Sequence, residues 1–184
     1  PKSRQSIQQL VSATPAQSWR IFDINLRQNF YNREVIEHSL NLANVLKLNE
    51  SELPILTRMF GNPGTVRQQI QFLARRFNLP VVALTCGPEG SRLYRDGVWS
   101  ERPAGFTEVK DTVGAGDSFT AALCMGLLEG LPLDEVNIAA NKIAAHVCSC
   151  IGATPKMPAE LRGMFHASKK DSETAAKLRA VNAE

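Results

Sequence analysis

The sequence predicts an α/β fold in which a mostly parallel β-sheet is covered by helices. Short runs rich in β-formers alternate with helical patterns along the chain, as they do in parallel sheets with helical crossovers. The run Val81–Thr85 is largely apolar and follows Pro80, which is typical of a strand buried on both faces. Between residues 66 and 77, apolar side chains recur at helical spacing, with Arg and Gln on the other face.

The remaining elements follow from the same patterns. The pair Asp96-Gly97 separates two short β-rich runs and therefore predicts a tight hairpin. No internal repeat or low-complexity linker interrupts the series, which favours a single domain. The predicted strands are residues 20–25, 45–49, 81–85, 92–95 and 98–100. The predicted helices are residues 35–43, a short one from about 51, 66–77, 117–129 and 134–148.

The composition is that of an ordinary globular protein. The chain has 184 residues, of which 43% are hydrophobic and 21% are charged, and its formal net charge is +3. Acids and bases are interspersed, so no nucleic-acid surface is expected. No apolar run approaches the roughly 18 residues that a membrane span needs. We therefore expect a cytoplasmic protein without nucleic-acid or membrane partners.

The cysteines and histidines do not predict a zinc site. The four cysteines form no CxxC pair, and the three histidines have no metal-ligand spacing. Free thiols in a reducing compartment are therefore expected. The cysteines are Cys86, Cys124, Cys148 and Cys150.

Residues 111–123 constrain the function most tightly. The segment Gly114-Ala115-Gly116 has almost no side chains and directly precedes a helical run. Such a loop leaves backbone N–H groups unpaired at the positive end of a helix, where they favour a bound anion. Asp117 would lie at the rim of that site, where its carboxylate could accept a proton from an attacking hydroxyl. An anion site beside a general base suits phosphoryl transfer to an alcohol. The alternative interpretation is an ordinary helix entrance with Asp117 as the N-cap.

The whole run 111–123 resembles the C-terminal signature of the PfkB (ribokinase-like) sugar kinases. The resemblance covers residues 3 to 158 or so, but corresponds only to the second half of a full kinase. It implies a ribokinase-like three-layer α/β/α fold that is incomplete here, because the N-terminal half and the lid strands have no counterpart. Residues 1–165 would be the C-terminal ATP-binding and catalytic portion, and residues 166–184 a charged tail.

In that family the last Asp of the signature is the catalytic base, and the preceding amides stabilise the charge on the transferred phosphoryl group. By resemblance these roles fall on Asp117 and on Gly114, Ala115 and Gly116. Some relatives also bind a monovalent cation beside the anion site. The matching positions are Asp111 and the Val113 carbonyl, with the segment around residues 150–152 completing the ring, and the ion implied is potassium.

Polar residues follow three predicted strands, at the carboxyl ends where open parallel sheets bind ligands. Asp23-Ile24-Asn25-Leu26-Arg27 resembles the family's DxNxR segment. Alternation along an extended backbone would place all three polar side chains on one face. Asn25 and Arg27 are the expected substrate or phosphate contacts, and the alternative is surface decoration with a turn.

The second strand ends in Asn49-Glu50-Ser51-Glu52, which resembles the family's NxxE motif. The resemblance implies that Asn49 and Glu52 act near Mg²⁺ and the ATP phosphates, mostly through water, as suits an ion that keeps much of its hydration shell. The alternative is a helix N-terminus whose acids complement the helix dipole.

The third strand leads into residues 85–90, which resemble the family's TxGxxG turn. Its backbone approaches the nucleotide phosphates, so Thr85, Gly87 and Gly90 are expected to bind the nucleotide. Cys86 stands where the family usually has a small or aliphatic residue. Asn141, on the 134–148 helix, matches a polar nucleotide contact of the family, but could equally belong to the helix surface.

Together these motifs imply an ATP- and Mg²⁺-dependent kinase that phosphorylates a hydroxymethyl group of a small sugar, most like the fructokinase branch. The chain contains no GxxxxGK[ST] sequence, which disfavours a P-loop kinase. Two alternatives stay open: a ribokinase- or nucleoside-type kinase of the same fold, and a non-catalytic nucleotide-binding module. A homodimer also stays open, since the family usually dimerises through the lid strands.

Overall fold

The computed structural model describes residues 2–28, 30–61, 64–105 and 107–165. The chain divides into two compact units, with the boundary between Ala104 and Gly105. Nothing in the sequence marks this boundary, which lies in a segment without helix or strand. The predicted charged tail, 166–184, lies outside the described residues.

The first unit is built on a five-stranded sheet with its strands in sequence order. β1, β2 and β3 run parallel, β4 is antiparallel to β3, and β5 is antiparallel to β4. All strands except β4 therefore share one direction, which confirms the mostly parallel sheet. The strands are β1 (Ile21–Asp23), β2 (Val45–Asn49), β3 (Val81–Thr85), β4 (Ser91–Arg95) and β5 (Val98–Arg102).

The predicted strand at 20–25 is too long by three residues. β1 ends at Asp23 because Asn25 has a φ of +38°, which extended backbone does not allow. The predicted hairpin is confirmed, since both Asp96 and Gly97 have positive φ, at +49° and +93°, as a tight two-residue turn requires.

Helices flank these strands in the first unit. They are α1 (Lys2–Ser12), α2 (Arg33–Leu42), α3 (Glu52–Phe60) and α4 (Val66–Arg76). The polar start of α4 is fixed by a capping box between Thr65 and Gln68. α2, α3 and α4 share one hydrophobic cluster with β2 and β3. The largest fully buried side chains of that cluster include Ile36, Leu40, Leu46, Leu48, Leu56, Ile70, Leu73 and Leu84.

The described part of the second unit is helical. It contains α5 (Ala115–Leu128), α6 (Leu133–Cys148) and the short α7 (Ala159–Gly163). α5 and α6 begin within two residues of their predicted starts. α5 and α6 pack so closely at Gly126 that a Cβ on this residue would lie 2.8 Å from the Val136 Cγ2 atom. None of the helices within the described residues has the length and apolarity to span a membrane.

Removal of core volume from β2 should destabilise the first unit. Leu46 is fully buried, so Leu46→Ala should lower the free energy of unfolding by about 2–5 kcal/mol through lost burial and a residual cavity. Leu10 is 71% exposed on α1, and Leu10→Ala should change the same quantity by less than about 0.5 kcal/mol. Urea titration followed by Trp19 and Trp99 fluorescence measures both. Equal effects would contradict this placement of Leu46.

Candidate active site

In the second unit, the glycine-rich loop leads directly into α5. Gly114 is the N-cap with a φ of +82°, and Asp117 lies in the first helical turn. The alternative in which Asp117 itself is the N-cap is therefore wrong. Asp117 is exposed, and within the described residues its carboxylate has neither a hydrogen-bond nor an ion-pair partner.

Backbone N–H groups at this helix start remain available to a ligand. Ser118 N–H donates to the Gly114 carbonyl at 2.8 Å, and Ala115 N–H donates to the Thr112 carbonyl at 3.2 Å. The N–H groups of Gly114, Gly116 and Asp117 have no acceptor in the part of the chain that the structure describes. Thus the Ala115 amide is used within the loop, and the Asp117 amide joins the two glycine amides as a free donor at the positive end of the helix.

The loop conformation depends on a close backbone contact. A Cβ on Gly114 would lie 2.6 Å from the Ala153 carbonyl oxygen, so a side chain cannot fit there without displacing the backbone. The positive φ of Gly114 independently favours glycine. Both constraints fix the entrance to α5.

Asp111 holds the other side of the loop. Its Oδ1 accepts the Val113 N–H at 3.0 Å, and its Oδ2 accepts the Gly152 N–H at 3.1 Å. These hydrogen bonds, led by that from Val113, hold the pKa of the Asp111 carboxyl below its ordinary range. The Asp111 N–H itself donates to the Cys148 carbonyl at 3.2 Å. The loop is thereby tied to the segment after α6, which contains the positions predicted to complete a cation ring.

Asn141 lies on α6, half-buried. Its side-chain nitrogen donates to the backbone oxygen and to the Oδ1 of Asn137, both at 2.9 Å. Asn137 is fully buried on the same helix, so these two hydrogen bonds hold the Asn141 side chain against a fixed neighbour one turn earlier. Its contact with a nucleotide stays a prediction.

In the first unit, three of the predicted motifs lie at the carboxyl ends of β1, β2 and β3. The register pairs Asn49 with Thr85, so the turns after β2 and β3 start side by side. Glu50 N–H donates to the Thr85 carbonyl at 3.0 Å and links the two turns. The strand-end placement predicted from the sequence is therefore correct.

The turn after β3 is compact and tightly enclosed. It contains a 3-10 turn at Gly87–Glu89, and Cys86 N–H donates to the Gly90 carbonyl at 2.8 Å. Gly87 and Gly90 both have positive φ, at +51° and +97°. A Cβ on Gly90 would collide with the backbone of Arg102 and Ala104. The Thr85 hydroxyl donates to the Leu48 carbonyl at 3.4 Å.

The turn after β2 is closed by reciprocal hydrogen bonds between Asn49 and Glu52, just before and at the start of α3. Asn49 Oδ1 accepts the N–H groups of Ser51 at 2.9 Å and Glu52 at 3.0 Å, while Glu52 Oε2 accepts the Asn49 N–H at 2.8 Å. The structure therefore shows a helix N-terminus at this motif, as the alternative interpretation predicts. Glu52 Oε1 makes a further contact with the segment after β1, accepting the Leu26 N–H at 2.8 Å.

The segment after β1 is not extended as predicted. The positive φ at Asn25 breaks the alternation that would have placed Asp23, Asn25 and Arg27 on one face. Asn25 and Arg27 are nevertheless both exposed, whereas Asp23 pairs with Lys47 at 3.1 Å.

Sequence reasoning missed the partners that hold these motifs. Lys47 is 6% exposed and lies beneath the segment after β1, and a lone lysine in an apolar strand was the signal that could have found it. Gly152 lies in the segment predicted to complete a cation ring, but its N–H bond to Asp111 was not predicted. The contact of Ala153 with Gly114 is made mainly by backbone atoms, which leave no comparable signal in the sequence. Among the described residues, no three His, Cys, Asp or Glu side chains form a group able to hold a metal ion. All four cysteines are free, and burial raises the pKa of the Cys86, Cys124 and Cys148 thiols.

Comparison with known proteins finds carbohydrate kinases among the relatives of this chain. The family model for pfkB family carbohydrate kinases matches residues 3–160. An uncharacterized sugar kinase of Pyrococcus horikoshii is 30% identical over 151 residues, which are 78% of this chain and 44% of the relative. A fructokinase of Klebsiella pneumoniae is 31% identical over 141 residues, which are 73% of this chain and 45% of the relative. The chain therefore spans less than half the length of these curated relatives.

Solved structures confirm the predicted ribokinase-like fold. The Pyrococcus horikoshii kinase structure is 28% identical, with a TM-score of 0.72, and the alignment covers 89% of this chain and 54% of that one. The same kinase was also solved in complex with ATP, at 27% identity and a TM-score of 0.66 over 88% of this chain and 54% of that one. A ribokinase of Thermotoga maritima has a TM-score of 0.71 at 24% identity, over 90% of this chain and 53% of that one, and so shows the fold alone.

A matched pair of glycine substitutions tests the close contact at the loop. Gly114 and Gly130 both have positive φ, but a Cβ on Gly130 would meet nothing within 4 Å. Gly130→Ala should lower the free energy of unfolding only by the backbone strain, about 1–2 kcal/mol. Gly114→Ala should lower it by about 1–3 kcal/mol more, because the new methyl overlaps the Ala153 carbonyl. Urea denaturation measures both, and equal losses would contradict the contact.

Proposed function

The chain belongs to the pfkB family of carbohydrate kinases, and from this premise we propose that it is the ATP-binding and catalytic part of an enzyme that phosphorylates a small sugar. The observation that carries the proposal is the start of α5, where an exposed carboxylate without a partner lies beside free backbone N–H groups. A non-catalytic nucleotide-binding module would have no need of that carboxylate.

The chemistry follows from these two features. The sugar hydroxyl oxygen attacks the γ-phosphorus of ATP, and the Asp117 carboxylate accepts the proton that this hydroxyl loses. The bond from that phosphorus to the bridging oxygen breaks, and ADP leaves with the electron pair. The free amides at Gly114, Gly116 and Asp117 donate to the phosphoryl oxygens, where negative charge is concentrated in the transition state.

The turns at the carboxyl ends of β2 and β3 are proposed to bind the nucleotide. The positive-φ turn at Gly87 and Gly90 would present backbone to the phosphates, as would Thr85. The relative from Pyrococcus horikoshii was solved in complex with ATP, which supports this nucleotide for the present chain. Asn141 is proposed as a further nucleotide contact.

Magnesium would be held by the ATP phosphates, with Asn49 and Glu52 binding it through water. Each Glu52 oxygen accepts one protein N–H and keeps a second lone pair for a water. Such a site needs no cluster of protein ligands, because Mg²⁺ keeps much of its hydration shell. When bound, the ion supplies charge neutralisation at the phosphates.

For the sugar, we propose a ketosugar of the kind that fructokinases use, with Asn25 and Arg27 as contacts. The fructokinase relative and the exposure of both side chains support this choice. ADP release from the complete protein over a panel of sugars identifies the substrate. A preference for ribose or a nucleoside would contradict this proposal and would place the protein in another branch of the family.

Replacement of the proposed base should abolish turnover while nucleotide binding survives. Asp117→Asn removes the proton acceptor without changing the shape of the side chain, so kcat should fall on the order of a thousandfold. The Kd for ATP, measured by calorimetry, should stay within about twofold, since the amides remain. The matched control is Asp134→Asn, which removes an acid from the first turn of α6. Sugar-dependent ADP release that survives Asp117→Asn would exclude this residue as the base.

We also propose a monovalent cation site at Asp111 and the Val113 carbonyl. If it exists, potassium should raise ATP turnover severalfold over choline at equal ionic strength, because a cation there increases the positive potential at the anion site. Asp111→Asn should remove the stimulation. Glu108→Gln, an exposed acid three residues earlier, should retain it. Equal rates in potassium and choline would exclude the site.

A further inference from the structure

The Glu52 carboxylate has an unusual environment for a charged group. Glu52 is only 4% exposed, and its carboxylate forms no ion pair among the described residues. A buried carboxylate is tolerated only when hydrogen bonds replace its hydration. Here one oxygen accepts the Asn49 N–H and the other accepts the Leu26 N–H, both at 2.8 Å.

Helix capping accounts for only one of these two bonds. The reciprocal bonds between Asn49 and Glu52 satisfy backbone groups at the entrance to α3, in the manner of a capping box, although the N-cap of α3 is Ser51. The bond to Leu26 reaches 26 residues back along the chain and has no part in the cap. It joins the end of β2 to the segment after β1.

That segment is held on both sides of Asn25, whose backbone is left-handed. Asn25 has a φ of +38°, in the left-handed region that asparagine adopts more readily than most other non-glycine residues. On one side, Ile24 N–H donates to the Lys47 carbonyl at 3.2 Å. On the other side, Leu26 N–H donates to Glu52. Asn25 and Arg27 project from this segment and are both exposed.

We infer that Glu52 is a positioning residue, which fixes the backbone at Leu26 and thereby sets the orientation of Asn25 and Arg27. The structural part of this inference is independent of any activity. Its consequence for catalysis rests on the proposed sugar-kinase function, in which these two side chains bind the sugar. Glu52 thus couples the turn proposed to face the nucleotide with the segment proposed to face the sugar.

Hydrogen exchange in the unmodified protein gives the first test. Leu26 and Arg27 are adjacent in sequence, but the Arg27 N–H has no acceptor in the described part of the chain. After correction for intrinsic rates, the Leu26 amide should exchange at least about tenfold more slowly than the Arg27 amide, measured by NMR. Similar rates would overturn the inference.

Substitution gives the second test. In Glu52→Gln, the side-chain NH₂ must face one of the two backbone donors, so one hydrogen bond is lost. The charge-assisted bond from Leu26 is then either lost or replaced by a weaker bond to a neutral amide oxygen, so the Leu26 amide should exchange severalfold faster or more. The amide of Val82, in the fully buried part of β3, should keep its protection. An unchanged Leu26 rate, or an equal loss of protection at Val82, would overturn the local role.

The matched control is Glu50→Gln. Glu50 lies two residues before Glu52, carries the same charge and is exposed. It should leave the Leu26 exchange rate unchanged.

Kinetics of the complete kinase separate positioning from metal binding. If Glu52 positions the sugar-facing segment, Glu52→Gln should raise the KM for the sugar by about tenfold, with a smaller change in the magnesium concentration for half-maximal rate. If that magnesium requirement rises alone while Leu26 exchange is unchanged, Glu52 acts on the metal and the inference fails. If no sugar supports turnover, the proposed function fails, while the exchange experiments still decide the positioning role.

Discussion

The pairing of β2 with β3 is the constraint on which the first unit depends. Both strands are buried over their first four residues, so hydrophobic burial fixes their position in the sheet independently of the polar turns. Because the register sets Asn49 opposite Thr85, two turns with quite different conformations must start at the same level. The sheet thus determines where the turns lie, and their own hydrogen bonds determine only their shape.

A different constraint governs the second unit. There the described residues contain no strand, and the loop before α5 is shaped by contacts with the segment that follows α6. The Ala153 backbone leaves no room for a side chain at position 114, and the Asp111 carboxylate accepts the Gly152 N–H. Two segments about 40 residues apart in sequence therefore define the free amides. This explains why a motif that looks local in the sequence requires the close packing of α5 on α6.

The elements that the sequence predicts best are those whose signal comes from burial. β2 and β3 match their predicted bounds, since a continuous apolar run has few other solutions in a parallel sheet. β1 was predicted too long because the polar alternation of Asp23, Asn25 and Arg27 imitates a strand, whereas the left-handed backbone at Asn25 has no pattern in the sequence. The motif residues were found at the expected turns, but the contacts that Leu26, Gly152 and Ala153 make with them were not predicted. These three residues contribute backbone atoms, and any residue type supplies those.

The acids of the motifs differ in what remains available for chemistry. Asp23 is paired with Lys47, and Glu52 accepts two backbone N–H groups. Asp111 likewise accepts two, from Val113 and Gly152. The bonds that Asp111 accepts lower the pKa of its carboxyl, which makes Asp111 a poor proton acceptor. Asp117 alone among these four is exposed and without a partner within the described residues, and it lies beside the free amides. The proposal that Asp117 is the base thus rests on the contacts of the other three acids as much as on the position of Asp117 itself.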